Sequence, residues 1–214
     1  MRQPFRILFV CTGNMCRSPL AERLARARLL ANGAAAIEVA SAGTHAVVGA
    51  PVHPDTAAVL RRLGADPAGF AARQLTGEMA GSADLILTAT AAHREFVTGM
   101  RQDAAERAYT ILEFCALAGA VSVASVAPVG VAPDRARALT AAVAASRSRL
   151  AGEPPGGLDI PDPVGRPMAV QESTGLTIER ALHRTLTLIA GGPVDWPSPA
   201  QGEVPDVDDG EPGN

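Results

Sequence analysis

Ile7-Leu8-Phe9-Val10-Cys11-Thr12-Gly13-Asn14-Met15-Cys16-Arg17-Ser18-Pro19 is the stretch on which the fold turns. Its first four residues form a short, uninterrupted apolar run, the mark of a strand buried on both faces in a parallel sheet. Ser18-Pro19 has the residue types of a helix start, with serine at the cap and proline at the first helical position. Between them lies Cys-x5-Arg-Ser. A loop of this length between strand and helix can curl so that its backbone N–H groups point inward and, with the helix N-terminus, cradle a tetrahedral oxyanion. A field that holds an oxyanion also favours a thiolate, so Cys11 at its base reads as a nucleophile. Arg17 offers a planar fork for two oxygens of a phosphate, a geometry lysine lacks. Gly13 is expected to take a positive φ and let the backbone approach closely. Asn14 can bond across the loop, and the Ser18 hydroxyl can donate to the Cys11 sulfur. The plainer alternative is a small buried thiol at a strand end, which leaves the Gly-Asn turn and the Arg-Ser-Pro start as coincidences.

Working outward, Ala21, Leu24, Ala25, Leu29 and Leu30 carry a helix to Asn32-Gly33, and Ile37–Ser41 reads as a second strand, completing one βαβ unit. Gly43–Pro54 reads as a loop, Asp55–Leu63 as a helix closed by Gly64, and Leu75–Ala80 as a short helix. Asp84–Thr88 is the expected third strand, Ala91–Met100 a helix, and Tyr109–Leu112 the fourth strand. Gly119–Pro133 is expected to be a surface loop, Asp134–Leu150 a helix, Ala151–Pro167 a second loop and Val170–Ala190 a long amphipathic helix. Strands alternating with helices predict an α/β fold with a parallel sheet covered on both faces, with ligands at the carboxyl ends of the strands. Residues 1–191 read as one domain, enlarged at about 119–158, and 192–214 as an acidic tail too poor in apolar residues to order itself.

The 214-residue chain is 47% hydrophobic and only 3% aromatic, so its core is built from Ala, Val, Leu and Ile. Its formal charge of −3 gives no basic footprint for nucleic acid. No apolar run approaches the ~18 residues of a membrane span, and none resembles a signal-peptide core. A cytoplasmic protein is expected, with Cys11, Cys16 and Cys115 reduced. No His/Cys/Asp spacing calls for zinc, and neither nucleotide-binding fingerprint is present, so no metal or cofactor is expected. His45 and His53 read as loop and cap-neighbour residues, His93 and His183 as surface or packed helical residues. Trp196 falls in the tail.

Val10-Cys11-Thr12-Gly13-Asn14-Met15-Cys16-Arg17-Ser18-Pro19 resembles the low-molecular-weight protein tyrosine phosphatase family. The resemblance continues in Ser41-Ala42-Gly43-Thr44, Ala72-Arg73-Gln74-Leu75, Ala83-Asp84-Leu85-Ile86-Leu87-Thr88 and Asp162-Pro163. It implies a three-layer α/β/α fold with a four-stranded parallel sheet and the phosphate-binding loop after strand 1. It also implies metal-free, two-step hydrolysis of a phosphomonoester through a phosphocysteine. Thr12, Gly13, Asn14, Met15, Cys16, Arg17 and Ser18 then line the phosphate, Asn14, Ser18 and Ser41 support the loop, and Asp162 is the general acid, with Asp159 as its neighbour and competitor. A phosphorylated protein, phosphotyrosine first, or a small phosphoester is the implied partner of a monomer or weak dimer. In this family a cysteine at position 16 can form a reversible disulfide with the nucleophile; a simply packed thiol is the equal alternative. Cys115 is read as structural.

Three positions depart from the family pattern. Phe70 stands where a histidine often braces the loop, which predicts one brace fewer on Asn14. His45-Ala46-Val47-Val48-Gly49 and Val164-Gly165 lack the aromatic residues expected around a phosphotyrosine ring, which predicts an open, aliphatic rim. Two rival functions remain. An arsenate reductase would need further relay cysteines, absent near residues 75–90. A non-hydrolytic phosphocysteine carrier or phosphate-binding regulator would need Cys11 and Arg17 but not Asp162.

Overall fold

The computed structural model describes residues 3–126, 130–149 and 158–192. Four strands form one parallel sheet: β1 (Phe5–Cys11), β2 (Ile37–Gly43), β3 (Leu85–Thr88) and β4 (Ala108–Thr110), in the spatial order β2-β1-β3-β4. β1 is therefore flanked on both sides, and its apolar run splits by alternation. Phe5, Ile7 and Phe9 enter one hydrophobic cluster, Leu8 and Val10 the other. The larger cluster is covered by α1 (Arg17–Ala31), α2 (Pro54–Arg62), α5 (Ile111–Gly119), α7 (Ala132–Arg149) and α8 (Met168–Ala190). The smaller is covered by α3 (Gly77–Ser82) and α4 (Ala91–Met100), with a 3-10 turn at Gln102–Arg107. This is the expected three-layer arrangement. The chain passes from β1 to β2 on one side and returns to β3 on the other, so the carboxyl end of β1 is the switch point where open α/β sheets bind ligands.

Several expectations change. Helix α1 begins at Arg17 with Cys16 at its cap and no capping side chain. Ser18 and Pro19 thus lie inside the first turn, and the Ser18 hydroxyl is spent on the loop instead. Ile111 and Leu112 belong to α5, not to the fourth strand. Thr110 caps that helix and Glu113 reaches back to it, a capping box that turns the chain helical immediately after β4. Within 119–133, a short helix α6 (Val123–Val126) and the buried Val121, Val126 and Ala132 replace most of the expected surface loop. The short helix expected at 75–80 lies at Gly77–Ser82, because Leu75 and Gln74 pair with Gly43 and extend the sheet edge. The expected tail from residue 193, with Trp196, and residues 151–157 of the loop expected at 151–167 lie outside the described residues.

Helix α7 is tied to the sheet by polar contacts. Arg147 and Arg94 both pair with the buried Glu113 at 2.9 Å, and the Arg147 guanidinium lies 4.2 Å from the centroid of the buried Tyr109 ring. Among the described residues no helix is long and apolar enough to cross a membrane.

Candidate active site

The loop after β1 is held from beneath by Asn14, which is fully buried and has φ of +54°. Asparagine tolerates this left-handed conformation better than most residues. Its Nδ2 donates to Ser18 Oγ at 2.9 Å and to Ser41 Oγ at 2.8 Å, and its Oδ1 accepts the backbone N–H of Arg73 at 2.8 Å. The Ser41 hydroxyl donates a hydrogen bond to Glu22 Oε2 at 2.6 Å, and Glu22 lies near Arg26 and Arg73. The left-handed residue is thus Asn14. Gly13 does not have a positive φ, and no atom lies within 4 Å of where its Cβ would stand. The glycine that close approach demands is Gly43. A Cβ there would lie 2.4 Å from the backbone oxygen of Thr12.

Phe70 does not leave Asn14 short of partners. The Arg73 amide supplies the contact, while the largely buried Phe70 ring packs under the Arg23 guanidinium at 5.5 Å. Cys11 Sγ lies 2.9 Å from Ser18 Oγ. Ser18 accepts from Asn14, and its one proton has the Cys11 sulfur at 2.9 Å and the Ala42 carbonyl at a longer 3.4 Å as acceptors.

Arg17 is 5% exposed, yet it closes the mouth of the loop. Its Nη2 donates to Asp162 Oδ2 at 2.7 Å and its Nη1 to the carbonyl of Ile160 at 3.1 Å. Its Nε is buried without a hydrogen-bond partner among the described residues, a donor in need of an acceptor. The segment carrying Asp162 is anchored by Ile160 N to Ala89 O at 2.8 Å and by Asp159, whose Oδ1 accepts Ala91 N at 2.8 Å. Asp159 is thereby committed to the start of α4, and Asp162, with its side chain 49% exposed, is the carboxylate at the mouth. The sequence separation of these partners is 145 residues.

Cys16 is buried beneath the loop, and burial pushes its thiol up to about 11, against a hydrogen bond with Thr56. Cys11, Cys16 and Cys115 are all free thiols. Cys115 lies in α5, its sulfur accepting from Thr185 at 3.5 Å, and burial pushes it up to about 12. Met15 is half-buried. Val47, Val48 and Val164, expected at an aliphatic rim, are exposed. His45, whose backbone N–H donates to the Thr12 carbonyl, meets the Phe96 ring at 5.6 Å, an aromatic contact beside the loop.

In sequence, Glu22 has no evident role and His93 only a surface or packed place. Glu22 lies four residues after Ser18 on one helical face, a spacing that points a buried carboxylate at the loop support. His93 is buried, the packed alternative of its sequence reading, and it also bridges Thr12 and Thr90, at 2.9 and 2.7 Å. Thr90 caps α4 through the His93 amide, so Thr90-x-x-His93 was the available signal. His53 is itself the cap of α2. Among the described residues no three His, Cys, Asp or Glu side chains form a metal-holding group.

A buried thiol at the base of a braced strand–helix loop, an arginine at its mouth and a carboxylate on that arginine meet at the carboxyl end of β1 in a parallel α/β sheet. The comparisons give this fold and loop a family. The family model for low molecular weight phosphotyrosine protein phosphatases matches residues 6–126, more than half of the chain, and the chain belongs to this family. It is 45% identical over 94 residues to the low molecular weight protein-tyrosine-phosphatase Etp of Escherichia coli K12, covering 44% of this chain. It is 34% identical over 111 residues to the protein-arginine-phosphatase of Geobacillus stearothermophilus, covering 52% of this chain and 72% of that protein. The chain spans about 60% of the length of Etp and of several other tyrosine phosphatases it matches. Among solved structures, the low molecular weight protein tyrosine phosphatase of T. tengcongensis superimposes with a TM-score of 0.62 at 28% identity, over 85% of this chain and 97% of that one.

Proposed function

We propose that this protein hydrolyses phosphomonoesters on proteins, phosphotyrosine first, through a phosphocysteine on Cys11. The observation that carries the reading is Arg17. It is a buried guanidinium at the mouth of the Cys11 loop, with its Nε unpartnered and Asp162 held 2.7 Å from its Nη2. In the first half-reaction the Cys11 thiolate attacks phosphorus in line, while Arg17 and the loop amides hold the peripheral oxygens. Asp162, in its acid form, gives a proton to the departing oxygen. In the second, the Asp162 carboxylate takes a proton from water, water attacks the phosphocysteine, and the Ser18 hydroxyl, 2.9 Å from the sulfur, stabilises the departing thiolate. Asn14, Ser41 and Glu22 keep the loop in its left-handed turn and are positioning residues. Three free thiols fit a reducing, cytoplasmic setting.

A second substrate, phosphoarginine, is favoured by the aliphatic rim of Val47, Val48 and Val164 and by the likeness to the Geobacillus protein-arginine-phosphatase. Rates on peptides carrying phosphotyrosine, phosphoserine and phosphoarginine, measured side by side, separate the readings. Cys11→Ser abolishes turnover on all of them, and Asp162→Asn lowers kcat on the aryl ester by about 10²–10⁴-fold. Turnover that survives Cys11→Ser refutes the mechanism. A long-lived phosphoenzyme whose decay is indifferent to Asp162→Asn favours the carrier instead.

A further inference from the structure

Thr12 is the exposed member of a loop whose Cys11, Asn14, Cys16, Arg17 and Ser18 are buried. Its hydroxyl lies 2.9 Å from His93 Nε2, and the other ring nitrogen, Nδ1, lies 2.7 Å from Thr90 Oγ1. Thr90 Oγ1 already accepts the His93 backbone N–H at 3.3 Å, as the cap of α4. A hydroxyl has one proton to give, and among the described residues the acceptor within reach of the Thr90 proton is His93 Nδ1. Placing the ring proton on Nε2, donated to Thr12 Oγ1, is the arrangement that also uses the Thr90 proton, and the tautomer is assigned on that ground. Thr12 is then an acceptor toward His93, and its own proton is turned away from the ring.

The surroundings keep the ring in this single-proton form. Burial and the Arg17 guanidinium hold His93 below its ordinary value, with His45 acting in the same sense and Asp159 and Asp162 opposing. The polarity of the chain Thr90 to His93 to Thr12 is therefore set by the start of a helix rather than by solvent. It delivers a side-chain donor beside the nucleophile, outside the ring of inward-facing amides.

We propose that Thr12 is a substrate-binding residue whose hydroxyl donates a hydrogen bond to an oxygen of the bound phosphoester, and that His93 is the positioning residue that aims it. This rests on the phosphatase reading above. His93 acts only through Thr12, which separates it from a residue that merely packs α4 against the sheet.

The test is kcat/KM of the full chain on an aryl phosphate, with a phosphocysteine trap run in parallel. Thr12→Val loses about tenfold, the scale of one hydrogen bond, and Thr12→Ser, which keeps the hydroxyl, returns to within about twofold of the parent. His93→Leu loses a similar factor, His93→Gln, which keeps an N–H near Nε2, loses less, and Thr12→Val/His93→Leu loses no more than Thr12→Val alone. Where His93→Leu does not fold, His93→Gln in the parent and Thr12→Val backgrounds gives the same cycle. Parental kcat/KM in Thr12→Val, no rescue by Thr12→Ser, or losses that multiply in the double variant overturn the assignment. Failure of the parent protein to form a phosphocysteine or turn over substrate sinks the phosphatase reading itself. A parent that turns over normally beside an unimpaired Thr12→Val sinks only the role of Thr12.

Discussion

Replacing Asn14 by alanine isolates what it costs to hold the loop in shape. The residue is fully buried and makes three hydrogen bonds, to Ser18, Ser41 and the Arg73 amide, at 2.8–2.9 Å. Each contributes about 1 kcal/mol net, and the part-buried Arg73 N–H loses its acceptor. Asn14 also sits at φ of +54°, where alanine is disfavoured by about 1 kcal/mol more than a residue suited to that region. The expected loss for Asn14→Ala is therefore about 4 kcal/mol, a large share of the ~5–15 kcal/mol that stabilises a typical domain. Asn14→Gly removes the same three bonds but enters the left-handed region freely, so it recovers about 1 kcal/mol. Urea unfolding of the full chain followed by far-UV circular dichroism, with linear extrapolation to water, measures both. A loss under about 1 kcal/mol for Asn14→Ala, or a glycine variant less stable than the alanine one, refutes the reasoning that the turn and its bonds are under load.

Two further outcomes follow from the same geometry. Gly43→Ala drives a methyl to 2.4 Å from the Thr12 carbonyl, a backbone atom with no rotamer to escape into. It is expected to lose about 1–3 kcal/mol, and on the proposed mechanism vanadate should raise the melting temperature of the parent protein but not of Gly43→Ala; one melting series reads both. Burial holds the Cys115 thiol up at about 12, from an ordinary 9.0, so its contribution to stability is complete below pH 9 and drains as the pH rises from there through 12. Stability measured from pH 7 to 10.5 should fall at the alkaline end, less steeply in Cys115→Ala; identical slopes contradict this.

Much of the fold was legible because each cue was local and unopposed. The apolar run of β1, the Ala/Leu helix that follows it and the glycine after α2 all stand where the pattern put them. Helix α4 matches its expected span, Ala91–Met100. Where sequence and structure differ, the cause is shared: one residue could serve two roles. Ser18 has the chemistry of a cap, but tertiary partners Cys11 and Asn14 claim its hydroxyl. Ile111 and Leu112 look like strand, but Thr110 and Glu113 had already started a helix. The thiol and the arginine were legible because the loop is contiguous. Glu22 and His93 were not, because their importance lies in what they touch across the fold, and a charged or ring residue on a helix gives no sign of its partner.

The pairing of Arg17 with Asp162 spans 145 residues. During synthesis, the loop with its thiol, its asparagine brace and the first three strands leaves the ribosome well before the carboxylate is translated. On the proposed mechanism, a nascent chain therefore carries the thiol and the arginine before it carries the acid. The segment at Ile160 and Asp162 then docks on Ala89 and Arg17, and α8, still later in the chain, lays the last helix over the larger core.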